Sequence, residues 1–398
     1  MNKRGSIYIV TLGAAIILVG LTLGMSSQML QFRRARHGQT GADQANVYAE
    51  LGIRHALHFT HTAPSWRTLL PNGTWLSNVS NGQGTYTVTG IDPADGVLDN
   101  DDGTVILTST AVASDISRQV RVNAQQPPLE LLQYAISAGD RLKLSNQARI
   151  TGDIVSNTEV DKSGNDSWVL GDAEAVIKVD EVTNITGTIR TGIQPKTFPA
   201  SQTIVDYYNA QATPIPFLSL IEKVLLSPSN NPFGPTNARG IYAIDCAGQK
   251  ITIKDCRIVG TLVLTNAKSD SCVESSVNWR PLHSNLPALI VHGSISLLTE
   301  NDVEESAISV DLSLPLEVGR GTQLNVYPSV ITGLIYVDGS MVLDRTARVE
   351  GAIIATGRVE LRDWASCQYQ PVLAADPPTH FRESYLSCLA GTWREILP

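Results

Sequence analysis

The densest cluster of reactive side chains is acidic: Asp92, Asp95, Asp99, Asp101 and Asp102, closed by Gly103. Carboxylate oxygens this close together are the material of a calcium site, because Ca²⁺ collects many oxygen ligands. The spacing is not that of an EF-hand: there is no D-x-D-x-D-G run and no closing glutamate. Asp99, Asp101 and Asp102 are the calcium candidates, and a solvated turn is the plainer alternative. His55, His58 and His61 recur every third residue. On a helix they would form a metal-binding face, or simply complement the dipole at its C-terminus. Asp245, Asp255 and Asp270 could serve as paired acids on neighbouring coils of a polysaccharide-cleaving enzyme. Acidic residues also commonly mark the turns that end short strands. The Asp-Asp and Gly-His-Gly signatures of polygalacturonase-like enzymes are missing, since His292-Gly293 lacks the first glycine. No phosphate-binding loop, H-E-x-x-H, G-x-S-x-G or G-x-G-x-x-G is present. The expectation is therefore a protein without catalysis and without a cofactor. The five cysteines, Cys246, Cys256, Cys272, Cys367 and Cys388, contain no C-x-x-C pair. A zinc site is thus weakly supported, and both one or two disulfides and buried free thiols stay open.

Over 398 residues the net charge is −8, which offers nothing to nucleic acid. The one basic cluster, Arg33, Arg34, Arg36 and His37, follows a hydrophobic run and suits lipid headgroups better than DNA. From Ser6 to Phe32 there is no charged side chain, and Ile7–Met25 reads IYIVTLGAAIILVGLTLGM. Roughly 20 apolar residues span a bilayer as a helix. A cleaved secretory signal would be shorter and would end in an A-x-A site. A lipoprotein signal is excluded by the lack of a cysteine. Proline is absent until Pro64, and Ala42, Ala45, Ala49, Leu51, Ala56 and Leu57 keep near-helical spacing. The helix is thus expected to continue out of the membrane for about 80 Å in all. Gly38, Gly41 and Gly52 weaken its second half by about 1 kcal/mol each relative to alanine, unless packing compensates.

A short basic leader ending Arg4-Gly5, then Ser6 and an apolar helix, resembles a type IV pilin-like precursor. Ala45-Asn46-Val47-Tyr48-Ala49-Glu50-Leu51-Gly52-Ile53-Arg54-His55-Ala56-Leu57 is similar to the A-x-x-x-A-E-x-G-I-x-x-A-L region of PilX-type and GspK-type minor pilins. The resemblance covers about the first 60 residues, or about 125 with the strands that follow. It implies that a prepilin peptidase cuts between Gly5 and Ser6. It also implies lodging in the bacterial inner membrane as a single-pass protein, with the bulk of the chain periplasmic or extracellular. Its partners would be the lipid bilayer and other pilin-like subunits. One position departs from the pattern: Val10 stands where most pilins carry a glutamate that neutralises a neighbouring subunit's amine. GspK-type subunits share the departure, which favours a filament tip or no filament.

Residues 63–126 read as a small antiparallel sheet, with alternation in Thr85–Thr89, Thr104–Thr108 and Arg118–Val122. Pro127-Pro128 reads as a linker. Beyond it the pattern apolar-x-Gly-x-apolar occurs six times, centred on Gly152, Gly187, Gly260, Gly293, Gly333 and Gly351, with spacings of 35, 73, 33, 40 and 18. Most of these lie near multiples of one coil of about 18 residues, the mark of a solenoid. A parallel β-helix over 127–362 is expected, of eight to ten coils and roughly 40–50 Å. Ile204–Tyr208 and Phe217–Leu226 would form short helices in an insertion near 199–232, and residues 363–398 would cap the last coil. A β-sandwich of tandem hairpins is the competing arrangement. The short coils also resemble bactofilin-like β-helices.

The fold class that results is mainly β with one long N-terminal helix: leader 1–5, helix 6–62, antiparallel sheet, then parallel solenoid. The function that fits is a non-enzymatic, membrane-anchored minor pilin-like subunit of a type IV pilus or type II secretion system. An anchored envelope protein for adhesion or scaffolding, a cytoplasmic scaffold with a membrane helix and a polysaccharide-active enzyme are the alternatives.

Overall fold

The computed structural model describes residues 4–94, 96–98, 104–163 and 166–396, with side chains from residue 12 onward. The chain divides into two compact units, one of 1–127 with 384–398 and one of 128–383.

The first unit is built on α1 (Arg4–Thr62), a continuous helix of 59 residues. Its C-terminal half buries Ala45, Ala49, Ile53 and Ala56, which recur every three or four positions and so share one face. That face lies on a sheet of β1 (Gly73–Asn81), β2 (Gly84–Ile91), β3 (Val105–Ala113) and β4 (Ile116–Gln125), antiparallel and in that order. Strand β3 alternates buried and half-buried along its length, the period-two pattern of a sheet with one covered face. Gly41 and Gly52, unfavourable in an isolated helix, are where α1 comes closest to the sheet. A Cβ on Gly52 would overlap Ser109 and one on Gly41 would press on Ile116. Packing has overridden propensity at both. Two strands from the end of the chain, Ser387–Cys388 and Arg394–Ile396, pair antiparallel with β4. The segment 363–398, expected to cap a solenoid coil, therefore divides: Ser366–Tyr369 is a solenoid strand, and residues from Ser384 complete the antiparallel sheet. An unpaired β4 edge is a stronger acceptor for two extended segments than a coil already stacked on both sides.

The second unit is a parallel β-solenoid with three strand faces per coil. One uninterrupted ladder on the first face runs Tyr242, Leu262, Leu289, Ile335, Ile353, Ile136, Ile154, Ala173, Ile189. Aliphatic side chains from the three faces fill the interior. The coils do not stack in sequence order, as simple repetition predicts. The first coil made (Ile136 to Thr151) lies against the last (Arg348 to Tyr369), in the middle of the stack. Residues 154–191 build outward from it to one end. The helix Ser201–Gln211 then carries the chain back, and residues 213–369 build inward from the other end. That helix packs Ile204, Val205 and Tyr208 onto the outside of the first face, against residues such as Val263, Ile290 and Tyr336. Phe217–Leu226 is not the second helix expected. It forms Leu220–Glu222 and Leu225–Leu226, two strands of the end coil. Lys223 between them turns the chain at φ +57°, which brings Ile221 and Leu226 into the interior, as a straight helix could not.

The glycine pattern marks corners of the coil. Gly351 stacks on Gly333, and Gly152, Gly171 and Gly187 follow on one another, so closely that a Cβ on any one would strike the coil beside it. Gly293 belongs to a different corner, continued by Gly339 and Gly357. Among the described residues the third corner is turned by residues that carry side chains. There Lys223, Asp255, Ser275, Arg345, Asp363 and Asn146 take up left-handed backbone, at φ +49° to +62°.

Candidate interaction surfaces

Most of the side chains with chemical potential are occupied by local structure. Asp245 accepts from Asn266 Nδ2 at 2.9 Å and from the Ala247 amide at 3.0 Å, and these bonds hold its carboxyl below the usual range. Asp255 sits at the left-handed corner and accepts from Ser276 Oγ at 3.0 Å. Asp270 pairs with Lys268 across a tight turn. These three form turns and corners of successive coils, the alternative role their positions at strand ends suggested. His55 Nδ1 lies 2.8 Å from Tyr86 Oη, whereas the His61 ring stacks on Tyr385 with centroids 3.8 Å apart. His55 and His61 thus have different partners, and His58 is exposed. Among the described residues no group of three or more His, Cys, Asp or Glu is placed to hold a metal ion. The calcium candidates Asp99, Asp101 and Asp102 lie outside the described residues, as do the side chains of Gly5, Ser6 and Val10.

All five cysteines are free. Cys256 and Cys367 project into the solenoid core, where burial pushes both thiols up to about 12, and burial pushes Cys246 to about 11. Thiols so far above neutral pH hold almost no thiolate and are chemically quiet.

Three surfaces remain. The first is the N-terminal half of α1, whose large apolar residues from Leu12 to Phe32 are exposed. The helix is long and apolar enough to cross a membrane. The second is the outer side of a solenoid face whose rows carry a ladder of ion pairs. Arg141 pairs with Glu159, Lys143 with Glu360 at 3.4 Å, and Arg362 with Glu360 at 2.8 Å. The hydrogen bond from Arg362 holds the Glu360 carboxyl below its ordinary range.

The third surface is a loop that leaves the stack after Thr299 and returns at Val330. It is held from inside by two buried charged groups. Glu305 is fully buried and accepts from the Leu312 and Asn325 amides at 2.8 and 3.1 Å and from Tyr327 Oη at 3.1 Å. Arg257 grips Glu317 through its two terminal guanidinium nitrogens, at 2.5 and 2.7 Å, and lies 4.0 Å over the Tyr327 ring. The two neighbours of Glu317 are thereby turned outward: Leu316 is 98 % exposed and Val318 95 %. Leu316 holds φ +74°, a backbone state rare for a leucine. The usual arrangement, apolar in and charged out, is inverted. Sequence reading missed this loop, although Leu314-Pro-Leu316-Glu-Val318-Gly-Arg320-Gly, apolar at alternate positions and bounded by glycines, was a visible signal.

No family model matches the chain, and no curated protein matches it. Among solved structures, it is similar to the competence-associated pilin ComZ from Thermus thermophilus, with a TM-score of 0.37 and 12 % identity over 89 % of this chain and 98 % of that one. It is also similar to the ice-binding protein LeIBP from an Arctic yeast, with a TM-score of 0.33 and 13 % identity over 61 % of this chain and 94 % of that one. A third likeness is to the Shewanella frigidimarina ice-binding protein 1 domain, with a TM-score of 0.29 and 10 % identity over 62 % and 99 %. Scores and identities at this level assign no function.

Proposed function

We propose that this chain is a non-enzymatic, membrane-anchored subunit of the bacterial envelope, a minor pilin-like protein that carries a β-solenoid between the strands of its sheet. The observation that carries this reading is α1: one unbroken helix whose first half is apolar and exposed and whose second half is the core of a small sheet. A helix with those two halves is suited to leave a bilayer and enter a folded domain without a hinge. In this reading prepilin peptidase removes Met1–Gly5 at the cytoplasmic face, where Lys3 and Arg4 hold the junction. The mature chain starts at Ser6, with its bulk periplasmic or extracellular. Val10 offers no carboxylate to a neighbour's amine. A buried unpaired charge costs several kcal/mol, so a terminal place in a filament of pilin-like subunits fits better than an interior one.

N-terminal sequencing of the membrane-extracted protein tests the reading. A chain beginning at Ser6 supports it. A chain beginning at Met1, or cut beyond Met25, removes the pilin reading and leaves a plain anchored or secreted solenoid.

A further inference from the structure

The two ends of the solenoid differ. At the end formed by residues 213–226, the strands Thr213–Pro214, Leu220–Glu222 and Leu225–Leu226 pair on one side only, and Phe217 and Phe233 pack against the core. At the other, Lys178–Asp180 pairs only with Glu159–Ser163, and Ile189–Thr191 pairs only with Ala173–Ala175. Each of these last strands has an open edge. Ile177 and Val182 are exposed beside them, and Trp168 and Leu170 are exposed on the outer face of a strand that residues 184–186 cover. Open edges beside exposed aliphatic groups are what a solenoid end normally covers.

The outward-turned loop belongs to the opposite end. Val310 and Leu314 pack with Leu225 of the end coil, and Arg257 of the next coil holds Glu317. One unit therefore presents exposed apolar knobs beside its 213–226 end and exposed apolar side chains beside the open strand edges of its other end. The charges match as well. Arg320 is exposed between Val318 and Leu324, whereas Asp166 and Glu181 are exposed at the open end, where burial lowers the Lys162 pKa and these two carboxylates oppose it.

We propose that the solenoid associates head to tail with a second copy of this chain, the loop 314–326 of one copy seated on the open end coil, residues 168–191, of the next. The contact joins two different patches, so it is heterologous and need not close. Pairing Glu317 with Arg257 ahead of binding fixes the loop's shape, which lowers the ordering cost of association. The proposal does not depend on leader removal or on a pilus.

The test uses the full-length chain reconstituted in liposomes, with Leu316→Cys in one tagged copy and Trp168→Cys in a second copy with a different tag. Both positions are exposed, and four of the five native cysteines are buried, so the unsubstituted chain sets the background of half-buried Cys388. A short bismaleimide is expected to join the mixed pair at least tenfold above background and to join neither variant to itself. Arg320→Glu in the loop-bearing copy is expected to reduce the yield severalfold. No joining of the mixed pair overturns the proposal, as it would if a bilayer or a different protein covered the loop. Equal joining of either single variant to itself also overturns it, because the contact would then be isologous or random. Should either variant lower the melting temperature, Val318→Cys and Leu170→Cys replace them with the same expected pattern.

Discussion

Gly52 of the long helix lies flat against Ser109 of β3, with no room between them for a methyl group. A Cβ there would overlap Ser109 Oγ and stand 2.9 Å from Tyr86 Cδ2 and 3.0 Å from Val88 Cγ2. Gly52→Ala is accordingly expected to destabilise the first unit by about 1–3 kcal/mol, the cost of overpacking. Gly38→Ala, with nothing within 4 Å of the added carbon, is expected to stabilise the helix by up to about 1 kcal/mol. Thermal unfolding of the two variants checks the pair. Equal shifts in the same direction would show that helix propensity, not the sheet contact, decides both.

A similar argument holds at the solenoid corner. A Cβ on Gly351 would collide with the backbone of Gly333 one coil away. Gly351→Ala is expected to lower the melting temperature of the full chain by several degrees, as about 1–3 kcal/mol of overpacking would. Gly24→Ala, which meets nothing within 4 Å, should not lower it. A silent Gly351→Ala would mean that the coils can part without cost.

The Arg257–Glu317 pair makes the exposed loop sensitive to acid. The hydrogen bond from Arg257 holds the Glu317 carboxyl below its ordinary range, against the opposing effect of burial. A carboxyl depressed in the folded state stabilises above its unfolded value of about 4.3, and that contribution fades as pH falls through the lower folded value. Amides of 312–326, corrected for intrinsic exchange, are expected to keep constant protection from neutral pH to about pH 5 and to lose it below about pH 4. In Glu317→Gln protection should be low throughout and nearly independent of pH. Unchanged protection in that variant would show that Glu305 alone holds the loop.

The thiols give a fourth expectation. With Cys246, Cys256, Cys272 and Cys367 buried, a maleimide at pH 8 should label at most Cys388 in the folded chain within minutes, and all five cysteines after unfolding. Rapid labelling of Cys256 or Cys367 would contradict a closed core.

The architecture was legible in the sequence because two periods were. Alanines and Ile53 at helical spacing marked the face of α1 that packs, and I-x-G-x-I marked coils of a solenoid. The order of the coils was not legible. Ile136 and Ile154 carry the same signature as Ile335 and Ile353, and nothing in a repeated strand says which copy lies beside it. Gly293 shows the same limit at one residue, since a glycine with flanking isoleucine and valine looks alike at either corner. Phe217–Leu226 misled because a corner at Lys223, which needs left-handed backbone, leaves no trace in residue type when lysine fills it. The loop at Leu316 went unread for a different reason. Its apolar residues alternate as those of a buried strand do, and the pairing of Glu317 with the distant Arg257, which turns them outward, has no local signature.

The inserted order of the stack has a consequence for how the protein is made. Asn146 donates to Asp363 across a separation of 217 residues. The coils from Ile136 to Thr191 leave the ribosome early, yet the strands that complete their inner edge are synthesised almost last. Pairing across such a distance requires closing a long loop before any contact rewards it, so this junction is expected to form late and slowly. Through much of synthesis the early coils would carry two open edges, one at the end of the stack and one awaiting its own chain. Whatever shields nascent strands in the cell would therefore be needed for this protein at its centre, rather than at its termini.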